Sequence, residues 1–246
     1  MRIAILSDVH GNCVALDAAL ADLQQHPAEQ IVCLGDMIQG GPQPAEVVAR
    51  LRALDCPVVM GNADAWLLSG QATDAEPTTD QQLAVREWQI TRLAPDDHAF
   101  IANFQPTVEL ALGSGRTLLC FHGTPHSFDE VILPSTPDEE FQRMLGPFAP
   151  ALMCGGHTHL QQIRRLDDTL FFNPGSVGLA FNRHQPEDHF KADPWAEYAV
   201  LSYEDGQIGL EFRRVPYRAE TIIQAYLTSG LPYADEAAEQ YRRDVG

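Results

Sequence analysis

The sequence predicts an α/β fold, and three observations carry that expectation. The first sixty residues alternate short apolar runs with helical stripes in the order β-α-β-α-β. Paired strand signals fill the second half. Hydrophobic residues make up 45% of 246 residues, which places the chain outside the disordered and fibrous classes. The opening alternation implies parallel strands with helices packed on them. The length allows one large domain or two small ones. We take a single domain over residues 1–246, a size that buries about 70–75% of its unfolded surface without disulfides.

Residues 2–6 (Arg-Ile-Ala-Ile-Leu) read as a buried strand. From 12 to 25, Val14, Leu16, Ala18, Ala19, Leu20 and Leu23 form a helical stripe that His26-Pro27 ends. Residues 30–34 are a second strand. A helix spans 44–54, with Pro44 suited to its first turn. Residues 57–60 (Pro-Val-Val-Met) are a third strand. Between Asp64 and Asn103 strand signals nearly vanish. Residues 65–68, 82–93 and 95–104 read as helices, and Pro77-Thr78-Thr79-Asp80 as a turn and N-cap. The segment 64–105 is therefore a helical insertion, since about 40 residues make a poor core alone. Its stripe of Leu83, Trp88, Ile90 and Leu93 reads as packing. Strands resume at 107–112 and 116–121 around Gly113-Ser114-Gly115. A short helix at 137–145 precedes strands at 150–154, 160–166 and 169–172. After a loop at 182–194, strands 197–203 and 207–214 flank Asp205-Gly206, and a helical tail occupies 217–246.

The charge balance is 16 Lys+Arg against 34 Asp+Glu, a net −18, which argues against broad binding to nucleic-acid backbones. No run of about 18 apolar residues exists, so no membrane-spanning helix is expected. The N-terminal run meets a charge at Asp8, too early for a secretory segment. Cys13, Cys33, Cys56, Cys120 and Cys154 form no C-x-x-C pair, which excludes a zinc ribbon and a thioredoxin-like site. Buried reduced thiols in a cytoplasmic protein are the expectation, with a homo-oligomer left open.

Polar residues cluster where the strands end. Ser7-Asp8-Val9-His10 follows the first, Gly35-Asp36 the second and Gly61-Asn62-Ala63-Asp64 the third. His122-Gly123 and Gly155-Gly156-His157-Thr158-His159 follow two later ones. Ligands of open α/β sheets bind outside the carboxyl ends of strands. Alone, each pair has a plain reading: a helix cap, a turn, or an αL residue. Five strand ends in succession that deliver metal-ligand side chains are hard to obtain by accident.

In that order these residues resemble the motifs of the calcineurin-like metallophosphoesterases, over about 8–200. Asn173-Pro174-Gly175-Ser176-Val177-Gly178 and Asp193-Pro194-Trp195-Ala196-Glu197-Tyr198-Ala199 resemble the small bacterial and archaeal phosphodiesterase branch. The resemblance implies a four-layer sandwich, two mixed β-sheets flanked by helices. It implies two divalent metal ions, one held by Asp8, His10, Asp36 and His159, the other by Asp36, Asn62, His122 and His157. Asp36 would bridge, and Asp36, Asn62 and His122 would be the catalytic set. A carboxylate bridge draws two cations to about 3.5–4 Å, where they share a water and clamp a phosphate. A mixed N/O donor set without thiolate suits manganese, iron or zinc and does not choose among them; manganese is the first expectation, with iron, zinc, nickel or magnesium as alternatives.

One position departs from the pattern. The superfamily often places His after the Gly-Asn of the third motif, to protonate the leaving group or stabilise the transition state. This chain has Ala63, with Asp64 retained beside it. His126 is a candidate replacement, and Arg183 a candidate phosphate contact through its planar fork. The resulting expectation is a dinuclear-metal phosphoesterase acting on small phosphodiesters, in which a metal-bridging hydroxide attacks phosphorus in line. The alternatives are a phosphomonoesterase or nucleotide/protein phosphatase, and a non-catalytic scaffold of the kind a retromer subunit makes from this fold. A scaffold can lose its metal histidines, and this chain keeps them. The insertion is expected to roof the site.

Overall fold

The computed structural model describes residues 1–71, 78–146, 152–186 and 189–242. The first half runs β1 (Arg2–Leu6), α1 (Cys13–Gln25), β2 (Gln30–Cys33), α2 (Pro44–Leu54), α3 (Asn62–Ser69), α4 (Asp80–Arg92) and α5 (Pro95–Ala102). The second runs β3 (Val108–Gly113), β4 (Arg116–Cys120), α6 (Asp138–Leu145), β5 (Leu152–Cys154), β6 (Gln162–Leu166) and β7 (Thr169–Asn173). It closes with β8 (Trp195–Glu204), β9 (Gln207–Pro216), α7 (Ala219–Ser229) and α8 (Ala234–Glu239).

Two mixed sheets result. The first has the order β2-β1-β8-β9, parallel between β1 and β2 and antiparallel elsewhere. The second has the order β3-β4-β5-β7-β6, with β4, β5 and β7 parallel to one another. Strand alternation builds the layers, because successive side chains point to opposite faces. Ile3 and Ile5 face Leu118, Leu152 and Phe172 between the sheets. Ala4 and Leu6 face Leu16, Ala19 and Val48 of α1 and α2. On the outer face of the second sheet, Leu119, Met153 and Phe171 pack on Phe141 and Met144 of α6. The order helix, sheet, sheet, helix is the four-layer sandwich implied by the resemblance.

Local expectations fail at a few places. The 57–60 strand is reduced to single bridges, Val58 to Cys33 and Val59 to Gln105. Pro57 has no N–H to donate, and α3 begins two residues after Met60. Leu83 is exposed, while Trp88 packs with the C-terminal helices and Ile90 and Leu93 with the core beside α2. Residues 150 and 151 of the expected strand, Pro77 of the expected turn, and 243–246 of the tail lie outside the described residues.

Candidate metal centre

Six of the seven expected metal ligands lie just beyond the carboxyl ends of strands. Asp8 and His10 follow β1, Asp36 follows β2, His122 follows β4, and His157 and His159 follow β5; Asn62 is the first residue of α3. Five of them adopt left-handed backbone: Asp8 (φ 54), His10 (φ 47), Asp36 (φ 53), His157 (φ 68) and His159 (φ 54). Each such residue costs on the order of 1–3 kcal/mol, a strain that persists only where the surroundings over-determine it. Here the Asp8 amide donates to Gly35 O at 3.0 Å and the His10 amide to Asp36 O at 2.9 Å. Ser176 Oγ and the Gly178 amide both donate to Asp8 O, at 2.7 and 3.0 Å.

The glycines of the motifs leave room for these turns. A Cβ on Gly61 would stand 2.1 Å from Asp36 Oδ1, and one on Gly156 would stand 2.1 Å from Ser7 Oγ. Gly61→Ala is therefore expected to push the Asp36 carboxylate out of place. Displacements near 1 Å cost about 10²-fold in rate. Metal content and activity should fall together while the circular dichroism spectrum stays folded; unchanged metal content would reject this role for Gly61.

The donor atoms form two groups, Asp8–His10–His159 and Asp36–His122–His157, each with one donor atom per residue within 4.8 Å of the others. In the first, His10 Nδ1 donates to Gln39 O and His159 Nδ1 to Leu179 O, both at 2.9 Å. A carbonyl only accepts, so in the neutral rings each Nε2 carries a lone pair. These two Nε2 atoms face each other at 3.0 Å. Asp8 Oδ1 lies 3.2 Å from His159 Nε2, buried and without a hydrogen-bond partner. Lone pairs converging on one point repel unless a cation sits among them, so this donor set fits a metal. In the second group, His122 Nε2 lies 2.9 Å from Asn62 Oδ1 and 3.3 Å from Asp36 Oδ2. His157 Nε2 donates to Asp129 O at 3.2 Å, leaving Nδ1 as the donor. Asp36 faces both groups: its Oδ2 is also 3.9 Å from His10 Nε2, while its Oδ1 accepts from the Ala63 amide at 2.8 Å.

The electrostatics agree. Burial works to raise the Asp36 carboxyl, but His122, His10 and His157 hold it well below the usual range. Burial likewise opposes ionisation of Asp8, and His159 and His122 outweigh it. Burial works to lower His122, yet Asp36 and Asp8 lift it to about 9. Water-excluded carboxylates thus create a strong demand for positive charge here.

Asp64, retained beside Ala63, serves the backbone. Buried, it accepts from the Met37 amide through both carboxylate oxygens and from the Ile38 amide, each at 3.1 Å. It thereby fixes the chain after Asp36, and does not face an imidazole. Burial and the Asp36 charge raise its carboxyl to about 7. Arg183 donates from Nη1 to Thr158 O at 2.7 Å, between His157 and His159. His126 is exposed, with its ring against Gly146 at the end of α6.

Two positioning roles are new: that of Gln89, which the sequence reading passed over, and that of Asn173, which it quoted only as part of a motif. Buried Gln89 donates to Gly41 O at 2.8 Å and accepts from the Gly40 amide at 3.2 Å, holding the loop whose Gln39 carbonyl orients His10. Its signal was available: a glutamine four residues from both Val85 and Leu93, on an apolar helix face. Asn173 donates to Gly156 O at 2.6 Å and to Thr158 Oγ1 at 3.1 Å, holding the segment that carries His157 and His159. Beside Asn62 and Ala63 lies a cavity of about 350 Å³, walled in part by Trp66 of α3, Gln82 of α4, Phe128 and Asp129. The helical insertion thus borders the donor groups.

A model of the calcineurin-like phosphoesterase superfamily domain matches residues 1–204. An uncharacterized protein of Methanocaldococcus jannaschii is 25% identical over 247 residues, covering 94% of this chain and 93% of that protein. Phosphodiesterase YfcE of Escherichia coli is 27% identical over 189 residues, covering 73% of this chain and 80% of its own. Among solved structures, a metallophosphoesterase from Sphaerobacter thermophilus superposes with a TM-score of 0.72 at 26% identity, covering 98% of each chain.

Proposed function

The chain belongs to the calcineurin-like phosphoesterase superfamily, and we propose that it is a dinuclear-metal phosphodiesterase. The observation that carries this reading is Asp36 Oδ2, which faces His122 of one donor group and His10 of the other. Asp8, His10, Asp36 and His159 would hold one divalent cation, and Asp36, Asn62, His122 and His157 the second. When bound, two such cations supply an acidified water as nucleophile and a clamp on the phosphoryl oxygens, suited to in-line displacement. The chain's own residues do the rest. Ala63 N–H fixes one Asp36 oxygen so that the other stays free for the cations. Gln39 and Leu179 carbonyls hold the His10 and His159 rings with Nε2 inward. Arg183, anchored on Thr158 O through Nη1, would offer its guanidinium fork to a phosphate oxygen. Manganese is the first candidate, with iron, zinc, nickel or magnesium as alternatives, and the N/O donor set does not choose among them.

The name carried by the Escherichia coli relative supports diesters over monoesters. Among the described residues no helix is long and apolar enough to cross a membrane. The test is to strip the protein of metal, reload it with Mn²⁺, and compare bis-p-nitrophenyl phosphate with p-nitrophenyl phosphate. Two metals per chain and a clear preference for the diester are expected. A single metal at full activity would reject the dinuclear centre, and a preference for the monoester would reject the diesterase reading.

A further inference from the structure

The C-terminal helices lie beyond the residues that the superfamily model matches, yet they reach the metal centre. Tyr241, two residues past α8, is 1% exposed in the apolar cluster that α7 and α8 build, and Leu179 packs against that cluster. The turn that carries it is tied down beside it, where the Ala192 amide donates to Gln240 O at 2.9 Å. From there Tyr241 Oη donates to Gly178 O at 3.0 Å. Asn12 Nδ2 donates to the same oxygen at 2.9 Å, so both lone pairs of this carbonyl are engaged.

Gly178 O belongs to the peptide unit that joins Gly178 to Leu179, and both residues touch the first donor group. The Gly178 amide donates to Asp8 O at 3.0 Å, and Leu179 O accepts from His159 Nδ1 at 2.9 Å. The fit is close: a Cβ on Gly178 would stand 1.8 Å from Val9 O. A tilt of this one peptide unit would therefore disturb the left-handed turn at Asp8 and the ring of His159 together. Resting on the reading of Asp8, His10, Asp36 and His159 as ligands of one cation, we propose that Tyr241 is a positioning residue of that site. Its hydroxyl fixes the Gly178–Leu179 peptide, and through that peptide the Asp8 backbone and the His159 imidazole. The C-terminal tail thereby completes a site whose ligands all lie in the first 160 residues.

Tyr241→Phe removes the hydroxyl and keeps the ring. Mn²⁺ titration of the full chain, followed by electron paramagnetic resonance of the free ion, should show one of two equivalents weakened about tenfold and the other unchanged. That is the lower end of the loss when an outer partner of a metal-binding histidine is removed. The weakened equivalent should be the one that His159→Ala loses, so adding Tyr241→Phe to His159→Ala should leave the remaining equivalent as it is. Tyr226→Phe deletes a neighbouring hydroxyl of the same cluster, one that accepts from Gln240 Nε2 at 3.5 Å, and should leave both equivalents unchanged. Unaltered affinities in Tyr241→Phe, or equal weakening in Tyr226→Phe, would overturn this inference and leave the metal centre standing. A native protein that takes up no Mn²⁺ would overturn the metal reading and this inference with it. A second measurement needs only the native chain. Coupling between two sites is reciprocal, so Mn²⁺ should slow amide exchange in 234–242 more than in α6, which packs on the outer face of the second sheet. Equal slowing in the two, or none in 234–242, would overturn the proposal even if Tyr241→Phe does not fold.

Discussion

Replacing Asp36 with asparagine is expected to empty both donor groups of metal and to lower kcat/KM by at least about 10²–10³-fold, the scale of losing one preorganised electrostatic contact. The geometry makes the amide worse than a mere loss of charge. Asp36 Oδ1 accepts the Ala63 amide at 2.8 Å, so the asparagine must keep its carbonyl oxygen there. Its NH₂ then points where Oδ2 now lies, 3.3 Å from His122 Nε2 and 3.9 Å from His10 Nε2. A hydrogen-bond donor would occupy the place of a metal ligand. His159→Ala is the control, because His159 belongs to the first group alone and should cost one metal equivalent. Elemental analysis of both variants decides the matter. Equal losses in the two, or full metal content in Asp36→Asn, would show that Asp36 is not shared.

The candidate ligands were legible because each follows an apolar run, and a strand end has few reasons to carry Asp or His beside Gly. Their backbone was not: nothing local announces that Asp8, His10, Asp36, His157 and His159 all turn left-handed. That is set by tertiary bonds such as Ser176 Oγ to Asp8 O, 168 residues apart. Asp64 shows the same limit. Nothing local to Ala63-Asp64 announces that the carboxylate takes the amides of Met37 and Ile38, 27 and 26 residues away. The segment at 57–60 has strand composition, yet Pro57 and the nearby start of α3 leave it only isolated bridges. Local pattern thus brought out the candidate ligands, and long-range hydrogen bonds set the backbone and the partners of several of them.

The remaining large effect concerns Ala63. It lies at the start of α3 and lines the cavity, with its amide committed to Asp36 and no side chain to give a proton. General acid assistance is typically worth about 10²–10⁴-fold. A p-nitrophenolate leaves readily without that help, and an alkoxide does not. Hydrolysis by the native protein should therefore fall steeply as the leaving-group pKa rises across a series of diesters. Ala63→His should restore part of the loss on alkyl esters and change aryl esters little. Asp64 already accepts three bonds from the Met37 and Ile38 amides, which leaves it little capacity to orient the new imidazole. The ring would instead enter the cavity that Gln39 and Asp129 line, so the gain should be smaller than for a fully oriented acid. A flat dependence on leaving-group pKa in the native protein, with chemistry rate-limiting, would mean that some other group already supplies the proton. His126 is then the first to examine: a large loss of activity in His126→Ala at unchanged metal content would place the acid there, even though its ring rests against Gly146.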